Sequence, residues 1–235
     1  MDPSFPAAGT YRLSVVETAD VSPRIRRVTL AGESLARFAA LPGQDVVVHL
    51  IADSGAAVRR RYTIRNFDPD ARRFDLDFVV HGHGPGSAWA TKVRVGDDVE
   101  VFGPRGKVAL SDAGWQLFAG DESALPAVAE MAAALPPAVS GIAFIEVADP
   151  AERQPVEAAA LDLRWLCRNG AAAGTPERFE AALTGVDAPD SDRHAYLFGE
   201  SRVVRRLRDL LASRGWGAAE ISAKGYWNLG RAARD

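Results

Sequence analysis

Arg60 and Tyr62 are two residues apart in the segment 60–65, which reads RRYTIR. Side chains alternate along a strand, so these two lie on one face while Arg61 and Thr63 lie on the other. A guanidinium fork binds phosphate through charge-assisted hydrogen bonds, about twice as strong as neutral ones, and a phenol ring packs against flat ring systems. The segment therefore predicts a nucleotide-cofactor site. The alternative is an edge strand carrying solvated arginines.

A strand runs into a glycine-rich turn and a short helix at residues 77–90, which read DFVVHGHGPGSAWA. Small residues let backbone amides approach a ligand, and a helix start favours an anion such as pyrophosphate. His81 and His83 also suggest zinc, but no nearby acid or cysteine completes a recognisable ligand spacing. A flexible hairpin without a ligand is the stronger alternative.

Asp121 and Glu122 lie in GDESALPA, residues 120–127, which follows a predicted apolar strand and opens a helix. An α/β sheet binds its dinucleotide at the carboxyl ends of its strands, which predicts a site here. The segment lacks the Gly-x-Gly-x-x-Gly pattern, and helix capping by the two acids is the alternative.

The composition limits the function classes. The 235 residues carry a net charge of −3 with acids and bases interspersed, which disfavours nucleic acid as a partner. The single cysteine, Cys167, excludes an internal disulfide or an iron–sulfur cluster held by this chain alone, and we expect it to be structural. No apolar run is long enough to cross a bilayer, and residues 1–4 do not resemble a signal peptide, so we expect a cytoplasmic protein.

The two halves of the chain show different hydrophobic patterns. In the first half, apolar and polar residues alternate as they do in β-strands. This pattern predicts six strands, at Tyr11–Glu17, Ile25–Ala31, Asp45–Ala52, Arg60–Ile64, Arg73–Val80 and Val99–Phe102. From Trp115 onward, short apolar runs alternate with helical periods. The predicted strands there are Trp115–Ala119, Ile142–Val147, Asp162–Leu166, Ala195–Phe198 and Glu220–Ala223, and the best helix is Ser201–Ser213 with a serine N-cap.

The predicted fold class is therefore β followed by α/β. Residues 1–112 form a six-stranded antiparallel β-barrel, and residues 113–235 form a domain with a parallel sheet.

Four segments together resemble the siderophore-interacting protein family, within the ferredoxin-NADP reductase-like superfamily. They are Arg60-x-Tyr62-Thr63-x-Arg65, the glycine-rich turn with Trp89, residues 120–127, and Gly225-Tyr226-Trp227. The resemblance covers nearly the whole chain. It implies a barrel that binds FAD, a second domain that binds NADPH or NADH, and electron transfer through the flavin to a ferric siderophore.

The resemblance also implies roles for individual residues. Arg60 would hold the FAD phosphates, and Tyr62 and Thr63 would lie against the isoalloxazine. The other implied cofactor-binding residues are Arg65, Val80, His81, Gly84, Pro85, Gly86, Ser87, Trp89, Asp121, Glu122, Ser123, Ala124, Tyr226 and Trp227. Lys224 and Arg231 would bind the siderophore, and no catalytic side chain is expected, because the flavin carries the electrons.

Three questions stay open at this point. The electron acceptor or donor could be a protein such as ferredoxin, because the superfamily serves both purposes. A non-catalytic siderophore-binding protein is a further alternative. Asp149 is placed to accept from a ribose 2′-hydroxyl, whereas Arg153 is placed to meet a 2′-phosphate, and the family resemblance favours NADPH.

Overall fold

The computed structural model describes residues 5–52, 54–80, 84–157, 159 and 161–230. The chain divides between Ala109 and Leu110 into two compact units. The first unit contains an antiparallel sheet and the second a parallel one, which confirms the predicted fold class.

Seven antiparallel strands build the first unit, in the order β4-β3-β7-β1-β2-β6-β5. Their bounds are Gly9–Ser22 (β1), Ile25–Ala31 (β2), Asp45–Ile51 (β3), Ala57–Thr63 (β4), Arg65–Asp68 (β5), Arg73–Val79 (β6) and Asp98–Arg105 (β7). The edge strands β4 and β5 are consecutive in the chain, with Ile64 alone between them. The sheet must therefore curl until its two edges meet.

The predicted strands all form, and β5 is an additional one. It is short, pairs with β6 through an irregular register, and carries Asn66 at a φ of 48°. A left-handed residue interrupts the alternation of side chains, so strand periodicity does not reveal this segment.

The core of this unit follows the alternation predicted for β6. Phe74, Leu76 and Phe78 are buried, as expected for the apolar face. Asp77 on the other face is also buried. Its carboxylate accepts hydrogen bonds from Arg27 Nε at 2.7 Å and Arg27 Nη2 at 2.9 Å. A paired carboxylate tolerates burial that an isolated one does not.

A short helix, α1 (Pro85–Lys92), follows β6 in the chain, as the sequence predicts. Proline at its first position fits the helix start, where an N–H has no partner in the helix.

Five parallel strands build the second unit, in the order β10-β9-β8-β11-β12. Their bounds are Trp115–Asp121 (β8), Ser140–Val147 (β9), Leu161–Cys167 (β10), Arg193–Glu200 (β11) and Ile221–Trp227 (β12), with helices Leu125–Ala133 (α2), Glu177–Thr184 (α3) and Ser201–Ser213 (α4). The strand order reverses between β8 and β11, and ligands of open α/β sheets bind at such a reversal.

The helix α4 has the predicted bounds, but the predicted serine N-cap is wrong. Glu200 is the N-cap, and its Oε2 accepts from the amides of Arg202 at 2.6 Å and Val203 at 2.9 Å. A carboxylate at this end of a helix also interacts favourably with the helix dipole.

Among the described residues, no helix is both long and apolar enough to span a membrane.

Candidate functional site

The first candidate site lies where β4 meets the start of α1. A Cβ added to Gly86 would lie 1.9 Å from Tyr62 Oη and 3.9 Å from Arg60 Cγ. The predicted pair on β4 and the predicted glycine turn therefore come together, and we call them the strand–helix cradle: Arg60, Tyr62 and Gly84–Ser87. Only glycine at position 86 allows this close approach.

Tilted aromatic contacts hold the tyrosine of the cradle in place. The ring centroids of Tyr62 and Phe78 are 4.0 Å apart, and those of Phe78 and Trp89 are 5.1 Å apart. Burial raises the pKa of Tyr62 well above its usual value and outweighs the lowering effect of Arg60. The hydroxyl makes no hydrogen bond to another described residue. It is therefore a neutral phenol that can donate to a ligand.

The helix start completes the cradle. Gly84 is the N-cap with a φ of 93°, and α1 has no side-chain cap. Because no side chain caps this start, a ligand phosphate is a suitable acceptor for first-turn amides. A guanidinium, a phenol ring and an anion-binding helix start fit a dinucleotide that carries a flat ring, such as FAD.

Arg65, which the sequence analysis assigns to the cofactor, has a buried protein partner. Its Nη1 lies 3.1 Å from Asp77 Oδ2, and its side chain is 11% exposed. The arginine thus joins β5 to β6. Its assignment to the cofactor stays a prediction, and the ion pair indicates a supporting role.

The remaining predicted residues of this unit lie near the cradle in sequence. Thr63 is buried at the end of β4, and half-buried Val80 donates its amide to Arg24 O at 2.7 Å. His81, with His83 of the zinc alternative, falls outside the described residues. In the part of the chain that is described, no group of three or more His, Cys, Asp or Glu residues could hold a metal.

The second candidate site is the carboxyl edge of the parallel sheet, centred on Asp121. This buried carboxylate accepts from the amides of Ser123 at 2.9 Å and Glu200 at 3.0 Å, and from the indole Nε1 of Trp227 at 2.8 Å. It joins the ends of β8, β11 and β12, where the strand order reverses. We call this the Asp121 junction.

Burial raises the pKa of Asp121, and the neighbouring charge of Glu122 raises it further, while hydrogen bonds from the Ser123 hydroxyl, the Trp227 indole and the Ser123 amide lower it. A Cβ on Gly199 would lie 2.5 Å from Asp121 Oδ2. The backbone of β11 therefore lies so close to the carboxylate that position 199 requires glycine. Neither acid caps α2, whose N-cap is Ala124 without a side-chain bond. The capping alternative is therefore wrong.

The C-terminal motif belongs to this second site. Ser201 Oγ donates to Trp227 O at 2.9 Å, and the ring of Tyr226 stacks on Phe198 at 5.5 Å and 14°. Lys224 Nζ lies 5.2 Å from the centroid of the Tyr226 ring. Predicted residues 120–124 and 224–227 thus meet at one edge, while Arg231 falls outside the described residues.

Sequence reasoning missed a buried ionic network beside the junction. Arg168, which follows β10, donates to both carboxylate oxygens of Glu122 at 2.6 and 2.7 Å and to Glu146 Oε1 at 3.2 Å. Burial raises the pKa of Glu146 to about 7, although Arg168 lowers it. The sequence did contain a signal for this network, because Glu146 is a single acid within the apolar run of β9. A buried carboxylate needs a charged or hydrogen-bonding partner.

The order of the two sheets defines the fold class. A curled antiparallel sheet followed by a five-stranded parallel sheet is the ferredoxin-reductase-like fold. The ferredoxin reductase in carbazole 1,9a-dioxygenase shares this fold, with a TM-score of 0.75 at 18% identity over 96% of this chain and 71% of that one.

The chain belongs to the siderophore-interacting protein family. Residues 113–230 match the siderophore-interacting protein family, and residues 51–108 match the siderophore-interacting FAD-binding domain. A siderophore utilization protein from T. fusca superposes with a TM-score of 0.89, at 33% identity over 99% of this chain and 97% of that one.

Two curated relatives have names that state an activity. The ferric vibriobactin reductase ViuB of Vibrio cholerae is 29% identical over 93% of this chain and 89% of its own length. The NADPH-dependent ferric-chelate reductase of Escherichia coli is 26% identical over 92% of each chain. The family prediction, the FAD cofactor and the oxidoreductase class are thereby confirmed.

Proposed function

We propose that this protein is a cytoplasmic flavoreductase that passes electrons from a nicotinamide nucleotide through FAD to ferric siderophores. The observation that carries the proposal is the cradle of Arg60, Tyr62 and the α1 start, which lies in a chain similar over nine-tenths of its length to two reductases of ferric chelates. Reduction releases the metal, because hard oxygen ligands bind ferrous iron much less tightly than ferric iron.

We propose residues 1–112 as the FAD-binding domain. Within it, Arg60 and the start of α1 would bind the FAD diphosphate. Arg60 contributes a planar fork matched to phosphate oxygens. The ring of Tyr62, held by Phe78, offers a flat surface and a neutral hydroxyl to the isoalloxazine. Thr63, Val80, His81 and Trp89 complete the proposed set.

A flavin supplies the change from two-electron to one-electron transfer, since nicotinamide gives up a hydride and each ferric ion accepts one electron. The chain has no iron–sulfur cluster of its own to make this change, because it contains a single cysteine.

In the second unit, we assign the nicotinamide nucleotide to the Asp121 junction and propose residues 113–235 as its binding domain. Asp121 holds Trp227 and the β11 end in place, and Ser123 and Ala124 border the proposed site. Lys224 and Arg231 would attract an anionic chelate. Lys224 is half-buried beside Tyr226, which places its charge on the aromatic side of β12.

The decisive experiment is an anaerobic two-step assay on purified protein. The flavin absorbance should bleach on addition of NADPH or NADH and return on addition of a ferric siderophore, with two chelates reduced per nucleotide. Colourless protein that takes up no FAD would support the non-catalytic alternative and refute the proposal. Reoxidation by ferredoxin but by no ferric chelate would support the protein-partner alternative.

A matched pair of variants tests the cradle itself. Arg60→Ala should weaken FAD binding about ten- to a hundredfold, the cost of one charged hydrogen bond. Arg59→Ala removes the same charge from the neighbouring exposed position and should leave FAD affinity unchanged. Equal FAD affinity in both variants would show that the phosphates bind elsewhere.

A further inference from the structure

A compact turn, residues 121–124, ends the middle strand of the parallel sheet and leads into α2. The amide of Ala124 donates to Asp121 O at 2.8 Å, and a Cβ added to Gly120 would lie only 2.5 Å from Ala124 Cβ. The turn therefore folds back tightly on the strand that it follows. We call residues 121–124 the β8 turn.

Two consecutive acids tie the β8 turn to opposite sides of the sheet. Asp121 accepts from the amide of Glu200, at the end of β11, and from the indole of Trp227, at the end of β12. Glu122 accepts from Nη1 and Nη2 of Arg168, which follows β10 on the other side of β8. The turn is thus held between the two halves of the sheet.

The arginine of this second tie is itself firmly anchored. The backbone N–H of Arg168 donates to Val147 O at 2.9 Å, and its backbone carbonyl accepts from Arg178 Nη2 at 3.2 Å. Its guanidinium also donates to Glu146 Oε1, on β9, at 3.2 Å. Arg168 therefore gives the β8 turn a fixed point of attachment on the β9 and β10 side of the sheet.

Net stability does not account for this ion pair. The side chain of Arg168 is 6% exposed and that of Glu122 19%, and at such burial the loss of hydration offsets much of the attraction between the charges. A two-pronged arginine–carboxylate contact instead fixes direction as well as distance. Both oxygens of Glu122 point toward Arg168, which favours a positioning role over direct contact with a ligand.

We propose that Glu122 and Arg168 are positioning residues for flavin reduction, and that their ion pair fixes the β8 turn in the shape that receives the nicotinamide nucleotide. The inference rests on the proposed function, which assigns the nucleotide to the Asp121 junction, because the β8 turn is part of that junction. Hydride transfer is sensitive to placement, since a displacement of about 1 Å can cost about a hundredfold in rate. In this role each residue acts through the turn, without contact to the reacting atoms.

Binding is tested first, by calorimetric titration of the whole protein, with FAD present, with NADP⁺ and separately with NAD⁺. In Glu122→Ala, Arg168 keeps Glu146 as its partner, so no buried charge is left unpaired. This variant should bind the preferred nucleotide at least about tenfold more weakly, as for the loss of one charged hydrogen bond. Glu122→Gln has the same charge as Glu122→Ala but keeps the side-chain length and one acceptor oxygen, so it should recover most of the affinity.

A purely electrostatic role predicts the opposite sign. Removing a negative charge near an anionic nucleotide should tighten binding, and equally in both Glu122 variants. Unchanged or tighter binding in Glu122→Ala, equal affinities in the two variants, or no measurable binding of either nucleotide to the wild type would overturn the inference.

A double-mutant cycle tests whether the two residues act as one unit. Arg168→Lys keeps a positive charge beside Glu146 but loses the planar fork that holds Glu122. It should also weaken nucleotide binding, and the double variant with Glu122→Ala should bind no more weakly than Glu122→Ala alone. Wild-type affinity in Arg168→Lys would identify Glu122 as a direct ligand and refute the positioning role. Additive losses in the double variant would refute the pair.

Kinetics separate this inference from the proposed function. Glu122→Ala should slow flavin reduction by the nucleotide about ten- to a hundredfold, and should leave reoxidation of the chemically reduced protein by a ferric chelate unchanged. Equal slowing of both half-reactions would show a folding defect and overturn the positioning role. The control is Arg164→Ala, which removes an exposed β10 arginine paired with Asp162 at 2.6 Å and should change neither half-reaction. A wild-type flavin that neither nucleotide reduces would refute the proposed function, whereas normal flavin reduction in Glu122→Ala would overturn the inference alone.

Discussion

Replacing Gly86 by alanine should disturb the cradle through one identifiable contact. The new Cβ would lie 1.9 Å from Tyr62 Oη, whereas the next atom, Tyr62 Cζ, lies 3.2 Å away. The ring cannot easily move aside, because it packs on Phe78 at 4.0 Å. Overpacking of this kind costs about 1–3 kcal/mol, partly offset by the roughly 0.5–1 kcal/mol that alanine gains over glycine in a helix.

The hydroxyl can be deleted independently, which allows a double-mutant cycle. In a Tyr62→Phe background the closest contact becomes 3.2 Å, which small adjustments relieve. Gly86→Ala should therefore destabilise the wild type by about 1–2 kcal/mol and have little or a slightly stabilising effect on Tyr62→Phe. The expected coupling energy is about 1–2 kcal/mol.

Urea unfolding of the four proteins measures the cycle, and titration of the apoproteins with FAD measures its consequence for the cofactor. If the proposed cradle is correct, Gly86→Ala should weaken FAD binding more in the wild type than in Tyr62→Phe. Equal destabilisation in both backgrounds would refute the contact, and unchanged FAD affinity in all four proteins would refute the cradle as the flavin site.

Three further predictions concern the second unit. Trp227→Phe deletes the indole donor to Asp121, so it should slow flavin reduction by the nucleotide, measured by stopped-flow spectroscopy, without changing the affinity for FAD. A change confined to the FAD affinity would contradict this prediction. Lys224→Ala should raise KM for anionic ferric chelates without slowing flavin reduction, whereas Lys224→Arg should preserve KM; equal loss in both half-reactions would indicate a folding defect. The pKa of Glu146 is raised to about 7 by burial, so the folded protein retains a proton that the unfolded chain releases above about pH 4.5. Stability should fall as the pH rises through this window, and Glu146→Gln should flatten the fall in urea titrations; an unchanged slope would refute the assignment.

The amino-acid sequence predicted the elements whose pattern is local. Alternating apolar residues were enough for β6, and an apolar stripe at helical spacing was enough for α4 with its correct bounds. The signal failed for β5, where the left-handed Asn66 breaks the alternation, and for the α4 N-cap, where a glutamate replaces the usual small polar residue. Local patterns are readable because burial on one face imposes a fixed period.

Tertiary structure decided which polar groups meet. Asp121 and Trp227 are 106 positions apart, and only the order of β8, β11 and β12 brings the carboxylate to the indole. Sheet order likewise assigns Arg65 to Asp77, whereas no carboxylate in the described part of the chain lies within ion-pair distance of Arg153. Every arginine in a sequence can pair with an acid or bind a phosphate. The choice depends on which groups the folded strands place within a few ångströms, because Coulomb attraction and hydrogen bonding act over that distance and periodicity carries no record of it.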